Sequence, residues 1–301
     1  MPATDVLEFI AFTDPVCTWC WGSEPILRKL EAVYGDHLKV RYVMGGLVED
    51  IRAFYDRAND IGGDPDRSNQ QIAQHWLEAS AQHGMPVRTE GFRLFSAETV
   101  STYPQNIAFK AAELTDPDRA PQFLRRMREA SAAEARETGR REVLIELASE
   151  VGLELSTFLR SLEDGSAERA FREDQTFTRQ CGARGFPTFL LRFGGHEVLL
   201  QGYQRFESFQ AVIDSLSAGN LPRRQVDSSP EAVLAFIARH GLVAPIEIEM
   251  VFGLTPTQRE VIVQTLVVSG RLQQVPAGNG SFLKRAPSPL ACDVTTGQCR
   301  L

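Results

Sequence analysis

A cysteine pair between two apolar strand signals constrains this chain more than any other feature. The run "LEFIAF" (7–12) ends at Asp14-Pro15, and Cys17 and Cys20 follow at once in "DPVCTWCWG". "EPILRKLEAVYG" then places apolar residues at Ile26, Leu27, Leu30 and Val33, a helical spacing that Gly35 stops. "LKVRYVMGG" alternates Leu38, Val40, Tyr42 and Met44 before breaking at Gly45-Gly46. This reads as strand, helix, strand. A connection of that length makes the two strands parallel, with the right-handed crossover such units take. The expectation is an α/β core with the cysteines where a strand hands over to a helix.

Only the thiolate attacks, and a free cysteine is mostly protonated at neutral pH. Cys17 at the start of a helix would meet unpaired N–H groups and the positive end of the helix dipole, which lower its pKa. Cys20, one turn on, would donate its S–H to Cys17 and displace whatever Cys17 captures. Cys17 is therefore expected as nucleophile and Cys20 as resolving thiol. Zinc would want a second pair of thiolates or imidazoles. Cys292 and Cys299 are spaced too widely for the usual knuckle, and the five histidines are scattered. A structural bridge this short would constrain little of the unfolded chain. The opening segment lacks a basic region and a cleavage site, and no apolar run nears the ~20 residues of a membrane helix. The expected compartment is the cytoplasm, where thiols are kept reduced and such pairs serve chemistry more often than structure.

Around the pair, Asp14 is read either as closing the turn before Pro15 or as a proton shuttle for the thiols. Trp21 is assigned to the core, and Trp19, between the sulfurs, to the substrate side. From about 50 to 180 the chain reads as a series of helices, among them "PQFLRRMREASAAEARETG" as one segment. "TFLLRF" and "EVLLQG" around Gly194-Gly195 then read as a hairpin, with a further helix after it. The segment "GARGFPTF" brings Phe186 and Pro187 to the corner where that hairpin begins. Proline, lacking an N–H, suits a strand's first position. Cys181, at the preceding helix end, reads as a small core residue rather than a third catalytic thiol.

These segments together resemble the thioredoxin fold with a large helical insertion, the DsbA-like branch. "DPVCTWCWGSEPILRKL", "VRYVMGGL" and "STYPQNIAFKAAEL" are similar to a cytosolic subgroup that includes FrnE-type dithiol oxidoreductases and an adaptor of the ClpXP protease. The resemblance spans residues 5 to 217. It implies a cis Pro187 packed on the cysteines, with the backbone before it pairing with substrate in β fashion. Phe186 and Pro187 would then form the substrate wall with Trp19. Thr18 stands where many relatives have proline, which bears on the redox potential. Related 2-hydroxychromene-carboxylate isomerases lack the paired cysteines.

The organisation expected is a DsbA-like thioredoxin domain at 1–220, a linker at 221–229, a winged-helix-like module at 230–287, and a tail at 288–301 carrying Cys292 and Cys299. That last pair reads either as a redox relay to Cys17 or as unused. The module's third helix, "TQREVIVQTLVVSG", has one arginine and no polar set suited to reading bases, and the whole chain carries a net charge of −7. Nucleic acid is disfavoured as a partner, and protein docking or packing is favoured. The functional expectation is a cytoplasmic thiol–disulfide oxidoreductase, reducing or isomerising protein disulfides, with no prosthetic group. Its electron donor would be a thiol couple such as glutathione or the thioredoxin system. The rival is a redox-sensitive protease adaptor that binds a client protein without turnover.

Overall fold

The computed structural model describes residues 6–287. Strand β1 (Leu7–Thr13) leads into a short helix α1 (Thr18–Gly22), which bends at Ser23 into α2 (Glu24–Tyr34); β2 (Leu38–Met44) follows. β1 and β2 are parallel in register Leu7 to Leu38 through Thr13 to Met44, as the crossover requires. After a two-residue ladder of β3 (Tyr55–Asp56) and β4 (Ile61–Gly62), six helices intervene. They are α3 (Pro65–His83), α4 (Tyr103–Thr115), α5 (Ala120–Arg128), α6 (Arg141–Glu150), α7 (Leu155–Glu163) and α8 (Ser166–Gln180). The hairpin β5 (Thr188–Phe193) and β6 (His196–Gln201) completes the main sheet, and α9 (Phe206–Ser217) covers it. The strand order is β2-β1-β5-β6, with β5 antiparallel to β1. This is a thioredoxin-like α/β fold with a helical insertion between β2 and β5.

Phe9, Leu30, Phe189, Leu191, Phe209 and Ile213 pack the sheet against α2 and α9, the three phenylalanine rings meeting at 4.9–5.5 Å between centroids. The insertion has its own core around Phe109, Phe123, Met127, Phe158 and Phe171. It is tied to the sheet by Asp174 of α8, whose carboxylate accepts from the Met44 N–H at 2.9 Å and pairs with Lys110 of α4 at 3.1 Å. That anchor holds the exit of β2, where Gly45 begins.

One expectation is corrected. The segment starting at Pro121 is not one helix: α5 ends at Arg128, a π turn runs over Glu129–Ala133, and Ala135 is left-handed. The widened turn re-aims the chain, as π insertions do. The stretch after α9, expected as a linker, has no helix or strand and lies against the first part of the chain. Leu221 is buried, the Arg224 N–H donates to the Val33 carbonyl at 2.7 Å, and its guanidinium pairs with Asp36.

The C-terminal part comprises α10 (Pro230–His240), α11 (Pro245–Phe252), α12 (Pro256–Val268) and the hairpin β7 (Leu272–Ala277) with β8 (Gly280–Arg285). Ser229 and Thr255 cap α10 and α12 through their hydroxyls, each with proline at the first helical position. Val233, Ile237, Ile248, Val263, Leu266 and Leu283 form a local core. The part also packs back on the rest: Phe282 lies edge-on to Trp21 at 6.3 Å, within a cluster that includes Met85 and Val87. At the hairpin tip, Asn279 receives the Val87 N–H at 2.9 Å and returns its own N–H to the Val87 carbonyl at 2.9 Å. Gly278, at φ +52°, leaves room for that carbonyl, which would stand 2.1 Å from any Cβ there.

Candidate active site

β1 ends at Thr13, and the turn Asp14-Pro15 carries the chain into α1. Asp14 is fully buried, and its carboxylate is saturated: Oδ1 accepts from the Val16 N–H at 3.0 Å, and Oδ2 from Leu47 N–H, Asn106 Nδ2 and Thr102 Oγ1 at 2.7, 2.8 and 3.0 Å. One side chain thus ties the cysteine turn to the exit of β2 and to α4. Burial pushes its pKa up, against the pull of those four donors. Of the two roles considered for Asp14, the geometry favours the turn-closing one.

Cys17 caps α1 with extended dihedrals, its sulfur accepting the Cys20 N–H at 3.2 Å. Its S–H donates to the Phe186 carbonyl at 3.4 Å. The Phe186–Pro187 peptide is cis, and the Phe186 carbonyl places the corner before β5 against the first cysteine. Both cysteines are free thiols, Cys17 6% and Cys20 2% exposed. Cys17 but not Cys20 lines a pocket of about 280 Å³, walled by Trp19, Leu47, Ile51, Trp76, Phe95 and Phe186. The Phe186 ring occupies the space beside Gly45, where a Cβ would fall 1.8 Å from Cζ.

The electrostatics differ from the expectation for Cys17. Burial, the neighbouring Cys20 and Asp14 push its thiol well up, and the single capping N–H does not compensate. Cys20 moves the other way: burial opposes ionisation, but the neighbouring Cys17 side chain, the Arg128 guanidinium and the Thr13 hydroxyl together lower it. The reason is placement. α1 is only five residues long and bends at Ser23, so its dipole is small, whereas the buried cation acts on Cys20. Cys20 thus lies beside the buried cation, while access to the pocket belongs to Cys17.

Trp19 is half-buried and lies against His75, His83 and Tyr203 at 6.3, 5.9 and 5.5 Å between centroids. Trp21 is core, donating its indole N–H to the Pro86 carbonyl at 3.0 Å. Cys181 is half-buried against Phe12, Val43 and Leu190, and burial raises its thiol. Cys292 and Cys299 lie outside the described residues. Among the described residues no cluster of three His, Cys, Asp or Glu could hold a metal ion, and no helix is long and apolar enough to cross a membrane. Sequence reasoning missed Thr13, Thr102, Asn106 and Arg128. Thr102 and Asn106 sit in "STYPQN", quoted for its likeness to a family with no role attached. Arg128 lies in "PQFLRRMREASAAEARETG", read only as a helical segment.

The thioredoxin family model matches residues 10–210. The ClpXP adapter protein SpxH of Halalkalibacterium halodurans is 28% identical over 282 residues, 92% of this chain and 88% of that one. The cytosolic disulfide reductase DsbM of Pseudomonas aeruginosa is 26% identical with a TM-score of 0.54, covering 69% of this chain and 97% of the other. A candidate protein disulfide isomerase from Nitrosomonas europaea, 21% identical, shares the fold with a TM-score of 0.60 over 71% of this chain and 99% of its own. With its Cys17–Cys20 pair, its proline corner and its helices between β2 and β5, the chain belongs to the thioredoxin family, on the DsbA-like branch.

Proposed function

We propose that the protein is a dithiol–disulfide oxidoreductase that reduces or isomerises protein disulfides through a mixed disulfide on Cys17. The observation that carries this reading is the position of the Cys17 sulfur. It lines an apolar pocket, touches the carbonyl before Pro187, and has an ionisable thiol one turn behind it. The Cys20 thiolate draws the Cys17 proton, and the Cys17 thiolate so formed attacks a sulfur of the substrate disulfide. That bond breaks, a Cys17–substrate disulfide forms, and the other substrate sulfur leaves as thiolate. Cys20, once it gives up its proton, attacks the Cys17 sulfur, releasing the second substrate thiolate and leaving a Cys17–Cys20 disulfide. Two electrons pass to the substrate, and an external thiol couple of the glutathione or thioredoxin type restores the dithiol. Trp19, Phe186 and Pro187 form the wall against which the substrate chain lies, paired through the Phe186 backbone. A related DsbM structure contains GSH, which supports a thiol donor of that kind, and its description as cytosolic supports a cytoplasmic setting here.

A second reading has its own support. Two SpxH relatives, named ClpXP adapters, each match 92% of the chain, whereas DsbM covers 69%. In that reading the same pocket docks a client protein and the thiols report redox state. Insulin reduction by wild type and Cys17→Ser separates the two. Turnover by wild type that is lost in the variant supports the enzyme. Equal inactivity of both, with a client still bound, supports the adaptor.

A further inference from the structure

Beneath the thiols runs a buried chain of charges that the exchange steps above do not use. Arg128, the last residue of α5, is 2% exposed. One of its terminal nitrogens meets Glu24 and the other the Thr13 hydroxyl, while Nε has no partner among the described residues. Arg128 and Cys20 line one small cavity with Thr13, Ser23, Tyr42 and Pro187. Glu24 is shared, its second oxygen receiving Arg125 at 3.3 Å. Arg125 is held in turn by both oxygens of Glu247 on α11, at 2.9 and 3.0 Å, and by Glu129 at 2.7 Å. Arg28 pairs with Glu247 at 2.6 Å. The chain of contacts therefore runs from the C-terminal helices to the cavity that Cys20 lines.

Its charge count is informative. Arg28, Arg125 and Arg128 face Glu24, Glu129 and Glu247, and all six are under one-tenth exposed. The set is neutral while Cys20 is protonated or disulfide-bonded, and gains one negative charge when Cys20 ionises. Of the three guanidinium groups only Arg128 lines the Cys20 cavity. A buried guanidinium with an unused donor is costly unless an acceptor arrives, and a thiolate is such an acceptor.

We propose that Arg128 is a positioning residue for the Cys20 thiolate, held by Glu24 and Thr13, and that Glu247, acting through Arg125, sets how much of that cation Glu24 neutralises. The proposal rests on the part of the reading above in which Cys17 and Cys20 form a dithiol–disulfide couple. Holding the thiolate stabilises the reduced pair and makes the couple more oxidising, since reduction potential follows the stability of the reduced form. Linkage makes the effect reciprocal: whatever loosens Glu247 from Arg125 shifts the couple, and the redox state of the couple shifts the seating of the C-terminal helices.

The test is the equilibrium of the full-length protein with reduced and oxidised glutathione at pH 7, with the Cys17–Cys20 disulfide read by alkylation and mass spectrometry. Arg128→Gln moves the constant at least tenfold toward the disulfide, about 30 mV more reducing. Arg128→Lys, which keeps the charge without the fork, recovers part of the shift. Glu24→Gln frees the cation and moves the constant the opposite way; Glu247→Gln does the same to a smaller extent. Arg128→Gln within twofold of wild type, or all variants shifting in one direction, overturns the proposal. If Arg128→Gln does not fold, the two glutamate variants decide, and absence of a shift toward the dithiol in both overturns it. The equilibrium needs no turnover, so a protein inactive on insulin that shows these opposed shifts removes the enzyme reading and leaves this one standing.

Discussion

Replacing Gly45 by alanine puts a methyl group where the Phe186 ring now lies. A Cβ at this position would stand 1.8 Å from Phe186 Cζ and 2.2 Å from Cε1, and ordinary contact begins at 3.4 Å. The ring edge must therefore retreat by about 1.6 Å, the difference between 3.4 and 1.8 Å. Gly45 is not among the left-handed glycines, so alanine brings no backbone strain and the whole effect falls on the ring. Overpacking of this kind costs about 1–3 kcal/mol of stability, and the half-buried ring, able to move toward the pocket, places the cost at the low end. The functional cost is larger. Phe186 also carries the carbonyl that accepts from Cys17, and a displacement near 1 Å at a reacting centre can lower a rate by about 100-fold. For a wall rather than a reacting group, a loss of at least about tenfold in kcat/KM is expected on a peptide disulfide, about 1.4 kcal/mol. Phe186→Leu in the same background makes room for the methyl and returns part of the loss, a coupling of at least about 1 kcal/mol in the double-mutant cycle. A folded Gly45→Ala protein within twofold of wild type would refute the assignment of Phe186 to the substrate wall. A loss that Phe186→Leu leaves untouched would place the effect in the backbone rather than the ring.

Acid should weaken the fold through His83. Burial lowers its pKa to about 4 from 6.5, so between those values the unfolded chain binds a proton that the folded chain refuses. Stability is therefore complete above about pH 6.5 and declines toward pH 4 by up to about 3 kcal/mol; His83→Gln should flatten that slope in urea titrations, and an unchanged slope contradicts it. Asn279→Ala strips the Val87 N–H of its acceptor and the Ser80 hydroxyl of its donor, and should cost about 1–3 kcal/mol in a urea midpoint measurement. Phe282→Ala should cost about 3–5 kcal/mol in a single cooperative transition, because the ring belongs to the cluster around Trp21; two separated transitions would show that the C-terminal helices unfold alone.

What could be read from the sequence was what repeats over short distances. The apolar run of β1, the alternation in β2, the helical period of α2 and the glycine turn between β5 and β6 depend on neighbours a few residues apart, and all appear where the pattern puts them. Cys17, Cys20 and the Phe186-Pro187 corner stood out because each is a local motif, although 169 residues separate the Cys17 sulfur from the carbonyl it meets. What stayed hidden was pairing at long range. Nothing local shows that Thr102 and Asn106 satisfy Asp14, or that arginines in "QFLRRMRE" turn inward to meet Glu24 and Glu247. The burial around Cys17 was hidden for the same reason. The local position of Cys17 at a helix start was legible, but the burial that raises its pKa and the cation that favours Cys20 come from distant segments. The clamp of the C-terminal hairpin on Val87 through Asn279, 192 residues apart, was hidden likewise.

The most direct test is to trap the intermediate. Cys20→Ser removes the thiol that resolves the mixed disulfide, so incubation with a peptide disulfide should leave one peptide half bound to Cys17, mapped by mass spectrometry. Dithiothreitol should release it, and Cys17→Ser should form none. An adduct on Cys181, or no adduct at a peptide excess that titrates free glutathione, would contradict Cys17 as the attacking sulfur.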